Sequence, residues 1–394
     1  MKYAIVIPDG AADRPIEALG GRTPLEVARL PNMDRIAANG RLGTVKTVPR
    51  GMSPGSDVAI LSLLGYDPRE CYTGRAGIEA AARGIPLEED DWVFRCNLVT
   101  VADEEMVDYS AGHIPTKEAA LLIEALEERL GSDRIRFFPG VGYRHLVVIK
   151  GTRFKVETTP PHDIMGCAIK KYLPRGKNAK QLAQLMEASR EMLADHPVNK
   201  VRRDLGEAPA TQIWLWGQGQ RSALRSFRER WGLRGAAITG VDLVRGIALL
   251  IGWDLIDVEG ATGYYDTNYA GKGQAALEAL KDHDLVLVHV EAPDEAGHNG
   301  DARQKVRALE QIDTHIVGPL LDALPKAGEF RILVSPDHET PVELRTHATR
   351  PVPFAMMGAG IEHLRGEALT ERKAAGAGFS VAVGHELMEY FLKR

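Results

Sequence analysis

Apolar positions along this chain alternate between short unbroken runs and longer stretches in which they recur at helical spacing. Tyr3 to Ile7 is a run of the first kind, and it ends in Pro8-Asp9-Gly10. That pattern predicts a buried parallel strand with an acid at its C-terminal tip, where ligands collect in α/β sheets. Thr23-Pro24-Leu25-Glu26 opens an amphipathic stretch, and residues 32–39 read as a helix stopped by Gly40. Residues 43–48 return as a strand and lead into Gly51-Met-Ser-Pro-Gly-Ser-Asp57, a sharp turn followed by a helix over 58–64.

From about residue 85 to 195 the pattern changes. Strands over 94–101 and 143–149, a helix over 117–130 and the rigid loop Pro160-Pro161-His162-Asp163 occur in mixed order, which predicts a separate α+β insertion. Beyond it, runs at 213–216, 235–239, 255–257, 285–290 and 331–335 alternate with helical stretches such as 241–250 and 273–280. The fold class is therefore α/β, with a mostly parallel sheet covered by helices on both faces and a smaller inserted domain. The expected division is 1–84 and 196–394 for the core and 85–195 for the insertion.

Composition narrows the function classes. The chain has 394 residues, 44% of them hydrophobic and 26% charged, ordinary values for a globular protein with more than one domain. A net charge of -5 gives no general attraction to nucleic acid but leaves room for a local basic pocket. Cys71, Cys96 and Cys167 are too scattered for a disulfide framework or thiolate metal site, and read as core thiols in a reducing compartment. No apolar stretch is long and uninterrupted enough to suggest a signal peptide or membrane span, so a cytoplasmic location is expected.

Candidate chemistry gathers at strand ends. The 285–290 run leads to Asp294-Glu295-Ala296-Gly297-His298, whose Asp and His share one face of a helical turn. The 331–335 run leads to Pro336-Asp337-His338-Glu339, and His347 follows. With Asp9, these side chains would be gathered on one edge of a parallel sheet. Asp9, Asp294, Asp337, His298, His338 and His347 are too many ligands for one divalent ion and suit two. A two-metal site suits phosphoryl transfer, because bound cations lower the pKa of a serine hydroxyl and neutralise phosphoryl oxygens. Ser56 is the candidate nucleophile, although Ser-Asp before an apolar run also reads as a helix cap. Mixed imidazole and carboxylate ligands favour Mn2+ or Zn2+ over Ca2+, and Mg2+ less well.

Val6-Ile7-Pro8-Asp9-Gly10, Pro54-Gly55-Ser56-Asp57, Gly65-Tyr66-Asp67-Pro68 and Trp214-Leu215-Trp216-Gly217-Gln218-Gly219 form one set of motifs. Asp294-Glu295-Ala296-Gly297-His298, Asp337-His338, His347 and Pro351-Val352-Pro353-Phe354 form another. Together they resemble the archaeal-type 2,3-bisphosphoglycerate-independent phosphoglycerate mutases of the alkaline phosphatase superfamily, in family order over essentially the whole chain. The resemblance implies an alkaline-phosphatase-like core and an isomerase interconverting 3-phosphoglycerate and 2-phosphoglycerate in glycolysis and gluconeogenesis. It implies Ser56 as the phosphorylated nucleophile, Asp294, His298 and His347 as ligands of one metal, and Asp9, Ser56, Asp337 and His338 as ligands of the other. Two divalent ions, Mn2+ first and Zn2+ or Mg2+ next, and no 2,3-bisphosphoglycerate, are the expected cofactors. The insertion corresponds to a lid that excludes water.

Forked guanidinium donors suit a phosphate and a carboxylate, and Arg75, Arg95, Arg144 and His145 are the candidate substrate-binding residues. Lys272 reads as a flexible loop lysine, and His113, His162 and His196 as surface or capping residues. The expected partner is a small phosphoglycerate, with neither nucleic acid nor membrane, and a monomer or small homo-oligomer. The same ligands also fit a homoserine kinase-like phosphotransferase, a metal-dependent phosphatase or sulfatase, or a non-catalytic metal-binding protein. A P-loop kinase is disfavoured, since Gly271-Lys272-Gly273 lacks the required spacing.

Overall fold

The apolar runs around Tyr3, Leu285 and Arg331 lie side by side in the computed structural model, which describes residues 1–222, 224–363 and 367–393. Their strands, Leu285–Val290, Lys2–Pro8 and Phe330–Val334, form the parallel centre of an eight-stranded sheet. Gly235–Ile238 and Asp254–Leu255 extend it in parallel on one side. On the other, Val352–Gly358 runs antiparallel to Phe330–Val334 and Arg41–Val45, and Ser380–Val381 closes the edge. Alternate residues of the central strands, Ala4, Val6, Val286, Val288, Ile332 and Val334, share a core with Ile36, Leu309, Ile316 and Leu320 from flanking helices. Each aliphatic side chain buried there contributes about 1.5–3 kcal/mol.

Register decides what lies at the sheet edge. Pro8 is level with Val290, and Val6 with Val334, so the chain leaves all three strands at nearly the same height. The residues that follow, Asp9, Glu291 and Asp337, therefore crowd together. Among the described residues no helix is long and apolar enough to cross a membrane.

The chain divides into two units, residues 1–72 with 223–394, and residues 73–222. The smaller unit thus begins before residue 85 and ends after residue 195. The strand expected at 213–216 spans Gln212–Gln220 and joins the smaller unit's antiparallel sheet, pairing Leu215 with Cys96 and Trp216 with Arg95, instead of resuming the parallel sheet. Helix Arg75–Ala82 goes with it, because a Cβ on Gly77 would lie 2.0 Å from the Gln220 carbonyl oxygen. An apolar run announces a strand but not the sheet it joins. Helices Thr116–Leu130 and Ala179–Ala194 pack with this sheet around Phe94, Leu122, Leu182 and Trp214. The rigid loop at Pro160 is a short 3-10 turn, Pro161–Ile164, and the His196 ring caps its helix by accepting from Val198 N–H.

Lys272 is not a loop residue. It lies within helix Tyr269–Asp282, fully buried, with Nζ donating to the His289 carbonyl at 3.1 Å. Burial lowers its ammonium to about 8. The helix comes this close because Gly273 presents no side chain to the π-helical turn Asp313–Val317, where a Cβ would lie 2.0 Å from the His315 carbonyl oxygen. Backbone cannot yield as a flexible side chain can, so Gly273→Ala is expected to destabilise the fold by about 1–3 kcal/mol. A thermal melt of that variant unchanged from the parent would contradict this packing.

Candidate metal centre and nucleophile

Helix Ser56–Leu63 starts directly after the glycine-proline turn, and all of its residues after Ser56 are buried. Gly55 occupies the cap position in extended backbone, so the Ser56 side chain does not cap the helix. Its Oγ instead donates to Asp9 Oδ2 at 3.2 Å and lies 3.1 Å from His338 Nε2. The capping reading of Ser56 is thereby replaced by one in which the hydroxyl faces two of the ligand candidates. Tyr72 O–H holds the neighbouring Asp57 carboxylate at 2.5 Å.

The six carboxylate and imidazole candidates fall into two groups. In the first, Asp294 Oδ2 is 3.2 Å from His298 Nε2, Asp294 Oδ1 is 3.5 Å from His347 Nε2, and the two Nε2 atoms are 2.9 Å apart. His298 Nδ1–H donates to the Arg345 carbonyl at 3.0 Å, which turns Nε2 inward. Arg345 has φ 54, a left-handed conformation unusual for a non-glycine residue, and it aims that carbonyl. In the second group His338 Nε2 lies 3.3 Å from Asp337 Oδ2 and 3.6 Å from Asp9 Oδ1. Each group can hold a metal ion.

Electrostatics tests that fit. Asp9 is fully buried, and desolvation together with the charges of Asp337, Glu291 and Asp294 pushes its carboxyl well above the usual range. Burial raises Glu291 to about 8. In the first group the hydrogen bond to the Asp294 carboxylate pulls His298 up to about 9. Among the described residues the buried oxygens Asp9 Oδ1, Asp337 Oδ2 and Glu291 Oε2 have no hydrogen-bond partner. Unpaired anionic oxygens in an interior are costly, and divalent cations relieve that cost. The donor set fits such ions.

Two residues beside the site have no counterpart among the sequence candidates. His289 is fully buried, with Nε2 2.7 Å from Asp9 Oδ2 and Nδ1 3.1 Å from the Thr239 hydroxyl. Glu291 follows it, and Asp9, His289 and Glu291 form a third group of metal-ligand types. The available signal was one imidazole interrupting the otherwise aliphatic strand Leu285–Val290.

Comparison with known proteins bears on this geometry. A family model described as 2,3-bisphosphoglycerate-independent phosphoglycerate mutase matches residues 37–199. A relative of that name from Methanothrix thermoacetophila is 53% identical over 393 residues, covering 100% of both chains. Another, from Methanosarcina mazei, is 54% identical over 359 residues and 90% of each chain. The chain belongs to the 2,3-bisphosphoglycerate-independent phosphoglycerate mutase family. Among solved structures, the PH0037 protein from Pyrococcus horikoshii superposes with TM-score 0.84 and 31% identity over 99% of this chain and 96% of that one. A cofactor-independent phosphoglycerate mutase from Thermoplasma acidophilum gives TM-score 0.68 at 27% identity, covering 100% of this chain and 99% of that one. The family's α/β, alkaline-phosphatase-like core with an inserted α+β unit is the fold described above.

In this family member the smaller unit brings three of the substrate-binding candidates together. Glu79 accepts from Arg75 Nε at 3.0 Å and from Arg95 Nε at 3.1 Å. The Arg95 guanidinium lies 4.1 Å over the Trp216 ring. Burial, offset by Glu79 and reinforced by Arg75 and Arg144, lowers Arg95 to about 10. The Arg144 guanidinium sits 5.5 Å over Tyr143. His162 is exposed, as expected of a surface residue, and also packs edge-on against Trp216 and Tyr109.

His145 does not join them. Its side chain is buried, with Nδ1 accepting from Gly140 N–H at 2.9 Å and Nε2 without a partner among the described residues. Strand alternation explains this, since Arg144 and His145 point to opposite faces. Burial, with the Arg83 charge adding to it, drives its imidazole down to about 3. The unfolded chain takes up a proton near pH 6.5 that the folded chain refuses, so this contribution to stability is complete above that pH and is lost as pH falls. On lowering the pH from 8 to 5, the parent is expected to lose about 2 kcal/mol more than His145→Asn, whose amide oxygen retains the Gly140 bond. Denaturant titrations of both proteins at the two pH values measure the difference, and parallel pH profiles would refute it.

Proposed function

We propose that this chain interconverts 3-phosphoglycerate and 2-phosphoglycerate without 2,3-bisphosphoglycerate, by way of a phosphoserine at Ser56. The observation that carries the reading is the position of Ser56 Oγ, between Asp9 Oδ2 and His338 Nε2, in a member of this mutase family. Asp294, His298 and His347 would hold one divalent ion, and Asp9, Ser56, Asp337 and His338 the other, with manganese favoured by the mixed donors. Such ions supply Lewis acidity, lowering the serine pKa and neutralising charge on the phosphoryl oxygens.

The chain's own groups do the rest. Ser56 Oγ gives up its proton and forms a bond to phosphorus as the bond to the substrate's 3-oxygen breaks, and that oxygen takes up the proton. The glycerate re-orients, its 2-hydroxyl attacks the phosphoserine, and Ser56 regains its proton. Asp9 Oδ2, already accepting from Ser56, lies within reach of that proton. Backbone N–H groups at the start of helix Ser56–Leu63 favour the phosphoserine dianion. In this reading the smaller unit is the lid, with Arg75, Arg95 and Arg144 binding phosphate and carboxylate, and Glu79 and Trp216 holding the first two and Arg95, respectively, in place.

The test is metal-free protein reconstituted with Mn2+ and given 3-phosphoglycerate alone, followed by phosphorus NMR. Formation of 2-phosphoglycerate is expected, with Ser56→Ala slower by on the order of ten-thousand-fold. Release of inorganic phosphate in its place would identify a phosphatase, and turnover only with ATP and homoserine a kinase. Full activity after exhaustive chelation would exclude the two-ion reading.

A further inference from the structure

Thr340 follows the Asp337-His338 pair and is fully buried, yet the phosphoryl transfer described above makes no use of it. Its Oγ1 lies 2.5 Å from Asp294 Oδ1, in one ligand group, and 3.2 Å from His338 Nδ1, in the other. A hydroxyl has one proton to donate, and an ionised carboxylate has none. At 2.5 Å two oxygens without a proton between them would repel, so the hydroxyl proton belongs to Asp294. Its remaining lone pairs then accept Nδ1–H from His338. That leaves the His338 Nε2 lone pair directed toward Ser56 Oγ at 3.1 Å and Asp337 Oδ2 at 3.3 Å, where a cation is the group that satisfies all three.

The surroundings hold Thr340 in this role. Its N–H donates to the Ala12 carbonyl at 3.2 Å, and its carbonyl accepts from the buried ammonium of Lys305 at 2.8 Å. Asp13, paired with Lys305 at 2.7 Å, balances that charge. Gly10 leaves room for the hydroxyl, since a Cβ there would lie 2.5 Å from both Thr340 Oγ1 and Asp294 Oδ1. Gly297 does the same for the methyl, where a Cβ would lie 2.8 Å from Cγ2.

We propose that Thr340 is a positioning residue that ties the two ligand groups together, aiming Asp294 with its proton and fixing His338 as the Nδ1–H tautomer. The proposal rests on the two-cation reading above. Manganese titrations of metal-free parent, Thr340→Val and Thr340→Ser test it by calorimetry, with melts run in parallel. Thr340→Val keeps the shape and removes the hydroxyl, and it is expected to bind Mn2+ about 10–100-fold more weakly, with Thr340→Ser within about threefold of the parent. Parent-like binding by Thr340→Val, or binding by Thr340→Ser as weak as that of Thr340→Val, would overturn the proposal. A parent that binds no Mn2+ would overturn the two-cation reading instead. A second measurement needs no Thr340 variant. Long-range proton–nitrogen NMR of nitrogen-15 histidine in the metal-free parent, assigned with His338→Asn, is expected to show His338 protonated at Nδ1, and protonation at Nε2 alone would refute it.

Discussion

Crowding of negative charge at the ends of three adjacent parallel strands is the constraint on which the larger unit depends. Asp9, Glu291 and Asp337 follow strands whose register brings their tips level, and Asp294 joins them one helical turn later. Burial strips these carboxyls of water and the neighbouring negative charges repel them, and both effects push Asp9 and Glu291 up. Cationic and hydrogen-bonding groups answer it only in part. His289 reaches one oxygen of Asp9, and Lys272 holds the His289 carbonyl. The unpartnered oxygens that remain define where divalent ions fit.

Such a site is built by close approach of backbone, and small residues permit it. Gly10 turns the chain at φ +58 beside Asp294 and Thr340, a conformation that side chains rarely adopt and a clearance that no Cβ allows. Gly297 lets helix Ala292–Asn299 settle on the Thr340 carbonyl. The π-helical turn at Asp313 and the glycine opposite it bring Lys272 beneath the strand that carries His289. Packing and chemistry are here the same arrangement, since a Cβ at Gly10 would meet Asp294 and Thr340 directly.

The smaller unit follows a different logic. An antiparallel sheet exposes alternate residues, so Arg144 and His145, adjacent in sequence, have separate fates. Arg95 stays charged although largely buried because Glu79 neutralises it and Trp216 covers its face. A guanidinium held in this way has a fixed orientation and little conformational freedom left to lose.

Much of this protein is legible in its sequence because parallel strands buried on both faces read as unbroken apolar runs, and their polar endings stand out. Leu285–Val290, the acid after Ile7 and Pro8, and the Asp294, His298, Asp337, His338 and His347 spacings were visible without coordinates. The Gly-Met-Ser-Pro-Gly-Ser-Asp turn was visible too, though its serine reads equally as a cap until Asp9 and His338 are placed beside it. Which sheet the Gln212–Gln220 strand joins was not legible, since hydrogen-bond pairing between distant strands leaves no local mark. Nor were the tasks of His289, Lys272, Lys305 and Thr340, whose polar atoms are matched by partners up to 293 residues away. The sequence by itself determined the kinds of element and the kinds of ligand, because those follow from local periodicity and side-chain chemistry. Tertiary structure alone decided which donors face which acceptors, because the free energy of a buried polar atom depends on neighbours that only the folded chain supplies.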